Sequence, residues 1–266
     1  LEQLKAMAGD EETDSLVLVE AELVARRQGV QEAEQLLTAH FGAQGLAPKL
    51  IAVANGLESR DAFETAAQVF TRLGELEHDQ QAAAWEKVGD LKRDRLDDLA
   101  GAQQAYEKCL AIEPERESAL IELFRTSLRA RRWELAQSAH ERLLTLARTD
   151  QDRQGMGLMR AHLLCIQGEI VQAVAAIREA VEDEDEFLAA AQGVARQAEQ
   201  DGAEEQGQAL VQAVLSQLAQ GEGGTRAQAL ARLYLALQAG ELDAAQQNLE
   251  QLKAMAGDEE TDSLVL

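Results

Sequence analysis

The stretch "WEKVGDLKRDRLDDLAGAQQAYEKCLAIEP", residues 85–114, holds two helical patterns separated by a polar turn. In the first, Trp85, Val88 and Gly89 lie three and four residues apart and so share one helix face. In the second, Ala102, Tyr106 and Cys109 recur at i, i+4 and i+7, and Pro114 follows as a stop. A small residue followed by two larger ones on one face lets the second helix come close to the first. The larger side chains then fill the gap to a neighbouring hairpin. The stretch reads as an antiparallel helix hairpin.

Outward from it, the same small–large–large triplet returns along the chain. It is Ala33, Leu37 and His40 in "GVQEAEQLLTAH", and Ala66, Phe70 and Leu73 in "RDAFETAAQVFTRL". Further on it is Ala136, His140 and Leu143, then Ala173, Ile177 and Ala180, then Gly207, Val211 and Val214, then Ala245, Leu249 and Leu252. The seven small residues are spaced 33 to 38 residues apart, and a first-helix pattern precedes each, as in "SALIELFRTSLRA" before Trp133. Helix hairpins are therefore expected over 14–42, 46–75, 78–112, 115–148, 150–182, 184–219 and 225–256, within one domain spanning 1–266.

Composition agrees. Apolar residues make up 46% of the 266 positions and aromatics only 3%, with two prolines. Ala, Leu, Glu and Gln dominate, which suits helices, and the Val/Ile/Thr/Tyr runs that strands need are missing. The reading is all-α. Acidic residues number 48 against 25 basic ones, a net charge of −23. Such a surface repels nucleic acid and anionic membranes, so neither is an expected partner. No apolar run reaches the ~20 residues that span a bilayer, and a cytoplasmic location is expected by default.

The residues of 85–114 resemble the tetratricopeptide repeat. Trp85, Val88 and Gly89 match its first-helix signature, and Ala102, Tyr106, Cys109 and Pro114 match its second helix, with one residue inserted near Asp97–Asp98. The other six units keep the triplet but mostly lack the Trp and the Pro. The resemblance implies a right-handed α-solenoid, a superhelix of about seven antiparallel hairpins. Ala33, Ala66, Ala102, Ala136, Ala173, Gly207 and Ala245 would be the packing positions between helices, together with Trp85, Gly89, Tyr106 and Pro114. It also implies that first helices line a concave groove. Carried over to this chain, the groove positions are Glu22, Asn55, Glu86, Asp90, Ile121, Arg125, Leu158, His162, Arg196 and Tyr234. Arg129, one turn after Arg125, should point the same way and help to grip an acidic segment, while basic segments are expected elsewhere.

The chain opens and closes on one sequence: "LEQLKAMAGDEETDSLVL" occupies both 1–18 and 249–266, an offset of 248 residues. Carried across that offset, the next packing position falls 36 residues after Ala245, so the duplication returns in register. Residues 1–8 are expected to end a second helix that starts upstream, and 262–266 to start a further first helix. The duplication fits a segment of a longer array of 248-residue blocks, a deliberate repetition of a natural array, or an accidental one.

Catalytic chemistry has no frame in this sequence. His40 and His140 take triplet positions, which suits packing. His162 and Cys165 stand three apart on one helix, but a structural zinc site wants four ligands, so no metal or other cofactor is expected. "GEGGT" at 221–225 lacks the Lys-Ser/Thr of a phosphate loop and reads as a turn with Thr225 as an N-cap. "EDEDEF" at 182–187 lacks the spacing of a calcium loop. Two functions remain. One is a non-catalytic scaffold binding a peptide or protein in the groove. The other is a structural array, continuous or stacked head to tail, that forms a superhelical filament.

Overall fold

The structure, a computed structural model, describes residues 10–76 and 78–256. Residues 1–8 and 262–266, assigned above to adjoining hairpins, lie outside them. Among the described residues there are fourteen α-helices and no strand. They form seven hairpins: α1 (Asp10–Arg27) with α2 (Val30–Phe41), α3 (Leu46–Ser59) with α4 (Phe63–Glu75), α5 (Gln81–Asp94) with α6 (Leu99–Ile112), α7 (Glu117–Arg129) with α8 (Trp133–Leu146), α9 (Asp150–Ile166) with α10 (Ile170–Ala180), α11 (Glu184–Gln200) with α12 (Glu204–Ala219), and α13 (Arg226–Ala239) with α14 (Leu242–Ala256). The first helix starts at Asp10, four residues before the periodicity places it.

One device recurs in the hairpin turns. The residue five before the packing position is left-handed in six of the seven: Asp61, Asp97, Arg131, Gly168, Gly202 and Gly240, with φ between 51° and 84°. The N–H after it reaches back to the last turn of the first helix, as from Arg132 to the Ser127 carbonyl at 2.8 Å and from Ala203 to that of Ala198 at 2.8 Å. This satisfies a carbonyl that the helix end leaves unpaired. In the third hairpin the bond runs from Asp98 to Lys92, one residue further back. The inserted residue is absorbed there.

Asp98 also caps α6, its carboxylate accepting from the Gly101 N–H at 2.8 Å. That bond, and then Lys92, hold its pKa below the usual 3.8. A depressed carboxyl contributes stability above its unfolded pKa and loses it as pH falls through the folded one. Asp98→Ala should therefore cost about 1 kcal/mol at pH 7, with less difference from wild type near pH 3. A penalty unchanged by pH would leave the cap no electrostatic part.

The chain divides into two compact units, Leu1–Ala139 and His140–Leu266, with the boundary inside α8. In each unit helices pack on their neighbours in sequence, and first helices on the next first helix, as α1 does on α3 and α9 on α11. This is the packing of an α-solenoid. The small residues sit where helices come closest: Ala66, Ala102, Ala136 and Ala173 are fully buried. Tyr106 fills the space over Gly89, where any Cβ would run into its ring. Trp85 lies over Gly74 and donates from Nε1 to the Gly74 carbonyl at 2.8 Å. Pro114 stands in the exposed turn after α6.

Candidate functional site

At two junctions consecutive first helices are joined by charged side chains in one register. The residue eleven before one packing position meets the residue six before the next. Glu22 on α1, 7% exposed, accepts from Arg60 at the end of α3. In the second unit the same two places hold His162 on α9 and Asp201 after α11, with Nε2 and Oδ2 3.2 Å apart. His162 is buried, and its Nε2 lies near that carboxylate without hydrogen-bond geometry. Further cross-links are Lys87 to Glu58 at 3.9 Å and Arg116 to Glu86 at 2.7 Å. Arg93 pairs with Glu122, and between the second helices α2 and α4 Glu34 pairs with Arg72. Spacing along one chain does not reveal such pairs: Glu22–Arg60 and Glu34–Arg72 are both 38 residues apart.

In the first unit Glu58, Glu86, Asp90, Asp94 and Glu122 outweigh Lys87, Arg93 and Arg95 in a cleft of about 440 Å³ on α3, α5 and α7. The Tyr106 hydroxyl is fixed beneath it, donating to Asp90 at 2.9 Å and accepting from Arg93 at 3.0 Å. Burial raises the Asp90 carboxyl above its ordinary value, against the Tyr106 bond and the Arg93 charge. Two expected groove residues, Glu86 and Asp90, thus share one site. Arg125 is exposed beside this cleft and bonds Glu122 at 3.1 Å, while Arg129 lies 3.8 Å from Asp97. Asn55 is exposed, and Ile121 and Leu158 are half-buried on their helices.

In the second unit a larger groove of about 840 Å³ lies among α11, α12 and α13. Gln192, Arg196 and Glu199 come from α11, Glu204 and Glu205 from the first turn of α12, and Tyr234 and Gln238 from α13. Gly207 lines it and packs against the backbone of Ala195. Arg196 occupies the place taken by Glu22 and His162 in their hairpins, but the residue in register with it is Ala239. With no carboxylate opposite, Arg196 makes no ion pair or hydrogen bond with a described residue, and neither does Tyr234. Both are exposed into the groove, among three carboxylates.

Both cysteines and His140 are packed away, whereas His40, also at a triplet position, is exposed and lies 2.9 Å from Asp14. Cys109 and Cys165 are fully buried, and desolvation pushes both thiols up to about 11. His140 donates from Nε2 to the Met156 carbonyl at 2.8 Å, from a largely buried place on α8. Among the described residues no three His, Cys, Asp or Glu side chains are grouped to hold a metal ion, and no helix is long and apolar enough to cross a membrane. Thr225 caps α13 through a capping box with Gln228, and Asp183 caps α11.

No model of a protein family matches the sequence. No curated protein matches it either. Among solved structures, a tetratricopeptide repeat protein from Parabacteroides merdae matches with a TM-score of 0.51 at 13% identity, over 94% of this chain and 96% of the other. At that identity the likeness concerns the fold. With the seven hairpins and their recurrent turn, it makes this chain a helical-repeat protein with the tetratricopeptide-type fold.

Proposed function

We propose that the chain is a non-catalytic scaffold that holds a segment of another protein in the groove of its second unit. The observation that carries this reading is the pair Arg196 and Tyr234, both exposed in one groove of about 840 Å³ and without partners among the described residues. A free aromatic ring and a free guanidinium are the groups that anchor protein interfaces. Glu199, Glu204 and Glu205 around them favour a ligand with Lys or Arg next to an apolar or aromatic side chain. Arg125 and Arg129 are less suited to an acidic ligand, since each already has a carboxylate nearby.

A displayed peptide library selected on the full chain tests this. Basic peptides with an apolar anchor are expected to be enriched, and to bind more weakly as salt rises. Tyr234→Ala should weaken the selected peptides at least tenfold with unchanged far-UV circular dichroism. Peptides that bind this variant as tightly as wild type would place the binding elsewhere.

A further inference from the structure

The ends of the first helices carry opposite charge in the two units. In the first unit the stretches 23–29, 56–62, 91–98 and 126–132, each a first-helix end with its turn, hold nine Lys or Arg side chains against five carboxylates. In the second unit the corresponding stretches 163–169, 197–203 and 235–241 hold four carboxylates and no Lys or Arg. A cation near a helix C-terminus offsets the partial negative charge there. That role does not explain the contrast, because α9, α11 and α13 form the same hairpins with no cation in the last turn. Arg27, Arg60 and Arg95 take one repeat position, allowing for the residue inserted in the third hairpin. The fourth hairpin has Arg129, Arg131 and Arg132 around that position.

Contacts from each turn to the hairpin before it set these arginines in a row. Arg60 reaches back to Glu22, Arg95 lies over the Phe63 ring at 5.0 Å, and Arg129 stands 3.8 Å from Asp97. Arg27, Arg95 and Arg132 are exposed and make no ion pair with a described residue. We propose that this edge of the first unit is a docking surface for an extended acidic segment of another protein, with Arg27, Arg95 and Arg132 as its contacts. Packed helices stand about 10 Å apart, and three residues of extended chain cover about the same distance. A carboxylate at every third position of the segment therefore meets successive turns. Asp61 and Asp97, exposed in the same turns, disfavour a ligand of denser negative charge such as a nucleic acid. The surface lies in the first unit and is independent of the groove in the second.

Fluorescence anisotropy on the full chain tests the proposal, with a labelled peptide of about ten residues that has Glu at every third position and Ser between. It should bind more tightly than a peptide of the same composition with its Glu residues adjacent, and more weakly as salt rises. Arg27→Glu, Arg95→Glu and Arg132→Glu together should weaken it at least tenfold with unchanged far-UV circular dichroism. Should that triple variant lose its fold, the single reversals carry the test, each weakening binding about threefold. Arg153→Glu, Arg160→Glu and Lys253→Glu together make the same charge change at exposed positions of the second unit and should leave binding unchanged. Tyr234→Ala should leave it unchanged too, so failure of this surface and failure of the groove are separate results. Equal binding of the two peptides, or equal loss in the two triple variants, would mean general charge attraction and overturn the proposal. Tighter binding of single-stranded DNA of the same charge would make phosphates the ligand and overturn it too. Self-association that the arginine variant abolishes would make the acidic edge of a second copy the occupant, and no binding at all would leave the row without a ligand. Either result overturns it.

Discussion

Tyr106→Ala is expected to cost about 3–5 kcal/mol of stability, followed in urea by the fluorescence of Trp85 and Trp133, both in the first unit. Tyr106 is fully buried, and its ring occupies the space that Gly89 leaves open. Alanine would leave a cavity between α5 and α6 that two helices fixed at the Ala102 contact cannot close. The hydroxyl makes a second, smaller contribution. Tyr106→Phe keeps the ring but removes a donor from Asp90 and an acceptor from Arg93, and should cost about 1–2 kcal/mol at pH 7. The sign of its pH dependence follows from Asp90. That carboxyl is raised above its ordinary 3.8, chiefly by burial, and the Tyr106 bond opposes the rise. A raised carboxyl contributes stability fully below its unfolded pKa and loses it as pH rises through the folded one. Without the hydroxyl the rise is larger, so the phenylalanine variant should lag most at neutral pH and approach wild type near pH 4. An equal deficit at both values would mean that the Asp90 bond carries no net energy. A loss below about 1 kcal/mol for alanine would mean that the hairpin collapses around the cavity.

The packing of this hairpin was open to sequence reading because it rests on local spacing. Ala102, Tyr106 and Cys109 stand on one helix face in any helix, and the same holds for each triplet. The charged cross-links depend on something else. Glu22 is buried because Arg60, in the next hairpin, covers it, and the burial of His162 goes with Asp201 beyond the end of α11. A spacing of 38 residues carries no periodic signal, so a groove position and a pairing position look alike in sequence. Arg196 differs from His162 in what stands opposite, the place of the Asp201 carboxylate being taken by Ala239. Arg125 was settled more locally, by Glu122 one turn back on its own helix. What the fold adds is therefore mostly a matter of which charges are already used.

The second large effect contrasts two glycines in adjoining helices. Gly207→Val should destabilise the second unit by about 3 kcal/mol, and Gly193→Ala should stabilise it by about 0.5–1 kcal/mol. A Cβ on Gly207 would meet the Ala195 carbonyl oxygen at 2.8 Å and the Ala195 Cα at 3.3 Å. Both are backbone atoms of α11, so neither can rotate aside, and α11 and α12 must separate. A Cβ on Gly193 meets nothing within 4 Å, and there the gain in helix propensity stands unopposed. Gly207→Ala combines the two effects, about 1 kcal/mol of propensity against about 1–3 kcal/mol of crowding, and should fall on the destabilising side. Thermal unfolding followed by far-UV circular dichroism measures all three. The contrast reaches the groove, because Ala195 and Gly207 both line it and their contact sets the distance from Arg196 to Glu204 and Glu205. Peptides selected on wild type should therefore weaken on Gly207→Val and bind Gly193→Ala unchanged. If Gly207→Val left stability and binding alone, the close approach of α11 and α12 would not be what shapes the groove.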